Sequence, residues 1–251
     1  LISPANNWAS VDFDGIDDAL NCGSGSSIDQ LITPTVSAWI YYSDDGADAS
    51  QVIYNKSTFL RIFYISDNDG ALNNALVFQF QFTSTTAVKY VSVTNAISAN
   101  TWTHILATYD HTRGNDQRVD LFINGVETTY STTDEGSGTL DQDDSAGTAN
   151  IGSRSTSTVF DGQIDEVAIW SVVLTADEIT KLAKSKVKGM PLQIRPASLA
   201  AYWSLDEQSD GTSGDADSFF DKTANANTCT GNNGADNLGL TAKAEEVLSY
   251  P

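Results

Sequence analysis

Basic residues are scarce in this chain. Only 13 Lys and Arg stand against 33 Asp and Glu in 251 residues, a formal net charge of −20. A nucleic-acid partner needs a basic footprint to displace phosphate counterions, so that class is excluded. An anionic membrane surface is excluded by the same sign argument. Apolar runs are also short, and none approaches the ~18 residues of a membrane-spanning helix. The two histidines and two cysteines form no Cys/His zinc spacing and no CxxC pair. Cys22 and Cys229 lie 207 positions apart. The residues alone leave two options open for them: free buried thiols, or a disulfide tying the two ends together in an oxidising compartment. Glutamate is rare too, with 7 Glu among the 33 acids. Aspartate favours turns because its short carboxylate bonds the nearby backbone, so this composition points to many strands joined by turns. The chain opens on Leu1 rather than Met, which raises the expectation of a leader or upstream region.

What is present fits that reading. Short segments rich in β-branched and aromatic residues recur between turn clusters: "ASVDFDG", "TVSAWIYYS", "QVIYNK", "FLRIFYIS", "ALVFQFQFTS", "AVKYVSVTN", "WTHILATYD", "RVDLFINGVE", "TANIGS" and "GQIDEVAIWS". Their even spacing predicts an all-β, two-sheet sandwich in one domain. "INGVE" places Asn124-Gly125 between two strand patterns, the preferred two-residue hairpin turn. After Trp170 the period changes. Thr175 with Glu178 three residues on forms a capping box, and Ile179, Leu182 and Ala183 give a short apolar stripe, so one helix is predicted over 175–184. Four of the eight lysines (Lys181, Lys184, Lys186, Lys188) gather around its end, where cations suit the helix dipole.

"GMPLQIRPAS" (189–198) reads as an extended connector. The 53 residues from Leu199 onward are too few to fold alone without staples. They must pack on the core supplied by the residues before 189.

The ordered set Phe160, Asp161, Gly162, Ile164, Asp165, Glu166, Val167, Ile169, Trp170, Leu174, Thr175 and Glu178, with "VDFDGIDDAL" (11–20) upstream, resembles the laminin-G-like jelly-roll family of the concanavalin A-like superfamily. The resemblance covers about residues 8–183. It implies an antiparallel jelly roll with its core over 8–188. Members of that family commonly begin with a strand like "AYWSLDE" and a loop like Asp-x-x-x-Asn-x-Asn. Here those elements come last, at Ala201–Glu207 and Asp221–Asn227, as though the order were circularly permuted. The resemblance therefore implies that 199–251 completes the sandwich, bringing Cys229 toward Cys22. Two other destinations stay open: insertion into a neighbouring subunit's sandwich, as in donor-strand systems, or a truncated second repeat.

Catalytic chemistry finds little support. Glycosidases need two carboxylates facing across a bond, and the resembled glucanases carry them on a Glu-x-Asp-x-x-Glu strand. None of the 7 Glu here has an Asp two residues later. Asp165 and Glu166 fall on opposite faces of a regular strand, and His104 and His111 have no Ser or Cys in evident register. The chain is read as a non-enzyme with no catalytic residues.

The resemblance also implies a structural Ca2+ ion at Asp165, with Asp206, Glu207 and a carbonyl near Gly211 as partners. It further implies ligand binding by rim loops or a sheet face, where Tyr41, Tyr42, Tyr54 and Tyr64 are candidates to stack on sugar rings. Two functions follow as expectations. One is a non-catalytic glycan- or protein-binding module, extracellular or on a virion surface. The other is a structural decoration, tail or fibre protein of a phage or extracellular assembly, self-associating through its C-terminal segment.

Overall fold

The computed structural model describes residues 10–43, 50–56, 61–66, 73–80, 88–113, 118–136, 144–154, 158–184, 189–206 and 218–232. The first half of the strands are β1 (Val11–Asp14), β2 (Ala19–Asn21), β3 (Thr35–Tyr42), β4 (Ser50–Lys56), β5 (Arg61–Ser66), β6 (Ala75–Phe80), β7 (Val88–Ser92) and β8 (Trp102–Tyr109). Then follow β9 (Val119–Ile123), β10 (Val126–Glu127), β11 (Tyr130–Asp134), β12 (Ala149–Ile151), β13 (Asp161–Trp170), helix α1 (Ala176–Lys184), β14 (Leu199–Trp203), β15 (Ser218–Phe219) and β16 (Cys229–Asn232). All strand pairs are antiparallel. Among the described residues, one sheet has seven strands, in the order β1-β13-β3-β8-β9-β10, with β14 also on β13. The other has nine, in the order β11-β7-β6-β5-β4-β12-β2-β16-β15. This is an all-β jelly-roll sandwich.

Alternation explains the packing. Residues i and i+2 of a strand share a face, and one face of each sheet turns inward. Phe13, Leu20, Ile40, Phe63, Phe78, Ile105, Ile164 and Trp203 meet between the sheets, all of them buried. A second apolar cluster lies on the outside of the seven-stranded sheet. There Ile179 and Leu182 of α1 cover Leu106, Ala168, Trp170 and Tyr202. The capping box forms as the sequence predicts, with the Thr175 N–H and hydroxyl bonding the Glu178 carboxylate at 2.8 and 2.9 Å. The β9–β10 hairpin turns on Asn124 (φ 51°) and Gly125 (φ 77°), the left-handed pair such a turn requires.

β13 is paired along both edges. β3 runs along one of them, from Gly162 to Trp170. The other edge is shared: β1 pairs with Asp161–Ile164, and β14 pairs with Val167–Trp170. Glu166 sits between the two partners with φ 51°, at a register shift between Asp165 and Ala168. This bulge overturns the regular alternation expected for Asp165 and Glu166. It adds one residue, so Val167 returns to the core while Ala168 faces α1.

The C-terminal segment docks on its own chain in both sheets. β14 joins β13, and β16 joins β2 with Thr230 opposite Asn21. Cys22 and Cys229 are joined by a disulfide. Between β15 and β16, Asp221 organises the loop and ties it to β14: its Oδ1 accepts the N–H groups of Tyr202 and Thr223, and its Oδ2 accepts those of Asn227 backbone and side chain. The Asn227 carbonyl in turn accepts the Trp203 indole N–H at 2.6 Å. Trp203 is fully buried at this junction. Trp203→Ala should therefore lower the unfolding free energy by about 3–5 kcal/mol, read as a fall in the urea midpoint.

Candidate functional site

The outward face of the nine-stranded sheet carries a polar row. Cross-strand partners share a face, and the register links one residue from each strand. The row runs Asp134, Lys89 and Gln79, and continues beyond β5 with Asn55, Asn150, Asn21, Thr230 and Ser218. The neighbouring register of Tyr54, Phe63, Phe78, Ile151 and Leu20 points into the core. Asn55, Asn150 and Asn21 therefore stand on adjacent strands, spaced about 4.8 Å apart. Most members of the row are half-buried or exposed, but Asn55 is buried. Its side-chain Oδ1 is buried without a hydrogen-bond partner, a rare state for a polar atom. Two positions along lies an apolar register of Val52, Tyr64, Val77 and Val91 on the same outward face, with Tyr64 half-buried.

The four candidate tyrosines separate. Tyr64 is the one on this face. Tyr41 is half-buried on the seven-stranded sheet and tilts against Trp102, their ring centroids 5.9 Å apart. Tyr42 and Tyr54 belong to the core. The Tyr42 hydroxyl bonds Asn74 Oδ1 at 2.9 Å. Rings directed inward cannot stack on a ligand from solvent. The cause in β3 is strict alternation, which puts neighbours Tyr41 and Tyr42 on opposite faces. In β4 it is a register shift between Val52 and Tyr54 that turns Tyr54 inward.

The outward face of the seven-stranded sheet holds buried polar groups near α1. Ser37 Oγ lies 2.9 Å from His104 Nε2, and the imidazole packs edge-on against Trp39 with ring centroids 5.3 Å apart. Ser37 and His104 are both buried, so the pair has no open approach for a substrate. Burial holds the His104 imidazole neutral, depressing its pKa from 6.5 to about 3. On the same face the Tyr202 hydroxyl donates to Glu166 Oε1 at 2.7 Å, and the Gly189 N–H bonds Glu166 Oε2 at 3.0 Å. Burial first, and then the charge of Glu166, push the Tyr202 phenol far up. These contacts fasten the connector and β14 to the bulge of β13.

For the implied calcium, Asp165 is fully buried on β13 and its Oδ1 accepts the Glu166 N–H at 2.9 Å. Asp206 Oδ1 accepts the Ser204 hydroxyl. Glu207 and Gly211 lie outside the described residues. Asp165 and Asp206 alone fall short of the six to eight oxygens that calcium takes. Among the described residues one group of three possible ligands comes together, and it is Asp14, Asp17 and Asp18, in the turn between β1 and β2. Burial raises the Asp18 pKa to about 6; the Asp14 backbone N–H opposes this, and the charges of Asp14, Asp17 and Asp12 add to it. Sequence reasoning used "FDGIDD" only as a mark of resemblance.

A family model described as the concanavalin A-like lectin/glucanases superfamily matches residues 14–180. The chain belongs to this superfamily. No curated protein matches it in sequence. Among solved structures, a candidate carbohydrate binding protein from Bacteroides ovatus is similar over 90% of this chain and 58% of its own, with 20% identity and a TM-score of 0.60. This chain therefore spans little more than half of that relative's length. The enzymatically active domain of tailspike protein 2 of bacteriophage CBA120 is similar over 83% of this chain and 32% of its own, at 11% identity and a TM-score of 0.55. A heptameric SAP-like pentraxin from Limulus polyphemus is similar over 72% and 84%, at 14% identity and a TM-score of 0.50. At these identities the likeness is one of fold.

His104 gives this region a pH signature. Above pH 6.5 the imidazole is neutral in both folded and unfolded chains. Below it the unfolded chain takes up a proton that the folded chain refuses until about pH 3, so this residue makes stability fall as the pH is lowered through that window. In urea unfolding, the stability of the wild type relative to His104→Gln should drop between pH 7 and pH 4. A difference that stays constant with pH would contradict a neutral buried imidazole.

Proposed function

We propose that this chain is a non-catalytic module that binds neutral glycan on the outward face of its nine-stranded sheet. The observation that carries the reading is the polar row, in which the side-chain amides of Gln79, Asn150 and Asn21 are half-buried and so open to solvent. Side-chain amides both donate and accept, as sugar hydroxyls do, and Tyr64 adds an apolar surface suited to a pyranose face. The six side chains Ser218, Thr230, Asn21, Asn150, Asn55 and Gln79 are uncharged. A net charge of −20 disfavours acidic sugars and leaves neutral ones. The fold-level likeness to a candidate carbohydrate binding protein supports the same reading. The setting we infer is extracellular or a virion surface, where a disulfide such as Cys22–Cys229 persists.

A second reading draws on the tailspike likeness: a structural part of a phage tail or extracellular assembly, self-associating through the C-terminal segment. The pairing of β14 and β16 with strands of their own chain favours the first, because those backbone edges are already occupied.

A glycan array of neutral and acidic oligosaccharides tests the proposal. Binding should appear among neutral glycans, and Gln79→Ala or Asn150→Ala should weaken it at least tenfold with an unchanged thermal midpoint. An array without signal, or binding indifferent to both substitutions, would remove the glycan face.

A further inference from the structure

The turn between β1 and β2 crosses from one sheet to the other, since β1 belongs to the seven-stranded sheet and β2 to the nine-stranded one. Three aspartates crowd into it. Asp14, Asp17 and Asp18 each bring a carboxylate oxygen within 4.8 Å of the other two. Asp14 Oδ1 accepts the Ile16 N–H at 2.8 Å, and Asp18 Oδ2 accepts the Asp14 N–H at 3.0 Å. Gly15, at φ 74° and facing the Asp161 side chain, allows the sharp reversal. Three like charges this close repel one another, and the chain tolerates the arrangement at a place where two strands must be held together.

An acidic cluster alone would carry nothing. The deciding feature is Asp18, which has no exposed surface and whose second oxygen, Oδ1, is buried without any hydrogen-bond partner. A buried carboxylate oxygen left unpaired is costly and rare in proteins. A bound cation at the cluster removes that cost and reverses the repulsion among the three carboxylates.

We propose that Asp14, Asp17 and Asp18 form a calcium site that clamps the crossing between the two sheets. The three carboxylate oxygens lie close enough together to share one ion at the Ca–O distances of about 2.3–2.6 Å that calcium takes. Calcium also accepts irregular shells completed by backbone carbonyls and water. Asp14 is exposed and Asp17 half-buried, so water reaches the ion from their side while Asp18 closes it from within. Magnesium, which demands a near-ideal octahedron at about 2.0–2.1 Å and gives up water reluctantly, suits a strained protein turn less well. This site is separate from the set around Asp165 and does not depend on the glycan reading.

Calorimetric titration of the full, disulfide-intact chain with calcium chloride, after chelator treatment, tests the assignment, together with thermal midpoints in calcium and in chelator. One site lost or weakened at least tenfold in Asp18→Asn is expected, with the calcium-dependent rise in midpoint lost as well. Asp17→Asn, at a half-buried position, should weaken binding at least fivefold. Asp177→Asn, on exposed helix α1, removes the same charge and should change nothing. The proposal is overturned if the wild type binds no calcium, or if magnesium binds as tightly as calcium. It is also overturned if Asp17→Asn and Asp177→Asn weaken binding equally, or if Asp165→Asn abolishes binding while Asp17→Asn and Asp18→Asn leave it intact.

Discussion

A ten-residue interior strand of a sheet must satisfy backbone donors and acceptors along both edges, and β13 is that strand. On one edge β3 suffices. On the other, β1 reaches only as far as Ile164, and β14 supplies the partner from Val167 onward. An open stretch of that edge would leave unpaired N–H and C=O groups beside the core. The two short strands, far apart in sequence, therefore act as one long neighbour. The Glu166 bulge marks their junction, and Tyr202 of β14 bonds the very carboxylate that the bulge turns outward.

Closure of that edge draws in the rest of the tail. Asp221 ties the loop between β15 and β16 to β14 through both carboxylate oxygens, and Asn227 spans from that loop to Ser27 in the N-terminal part of the chain. β16 then pairs with β2, where the disulfide fixes the second attachment. A crosslink enclosing so long a stretch restricts the unfolded chain strongly, a gain on the order of 2–5 kcal/mol. The aspartate richness noted in the sequence is thus partly a matter of loop construction, since Asp221 is saturated by N–H donors within the fold.

The fold was legible where the signals are local. Alternating apolar residues gave the strands, Asn124-Gly125 gave the hairpin, and Thr175 with Glu178 gave the helix start. The motif around Phe160–Glu178 carried the family. What could not be read depends on register between distant strands. The bulge at Glu166 exists because β1 and β14 meet there, and nothing within "IDEV" shows it. Tyr54 turns inward through a shift in β4, and the amide row exists only once nine strands are aligned. The acidic turn at Asp14–Asp18 could have been suspected from its three aspartates, but the burial of Asp18 is a tertiary fact.

The two outward faces divide the work. Helix α1 and the connector cover much of the seven-stranded sheet, and Trp170 donates its indole N–H to Ile194 of that connector at 2.7 Å. The nine-stranded sheet keeps its polar row turned away from the core. Closure of β13 by β14 is the claim on which this arrangement rests, and calorimetric melting of a chain ended at Ser198 tests it most directly. Loss of the cooperative transition, with apolar surface exposed to a hydrophobic dye, is the predicted result. A shortened chain that melts cooperatively at the temperature of the full one would contradict it.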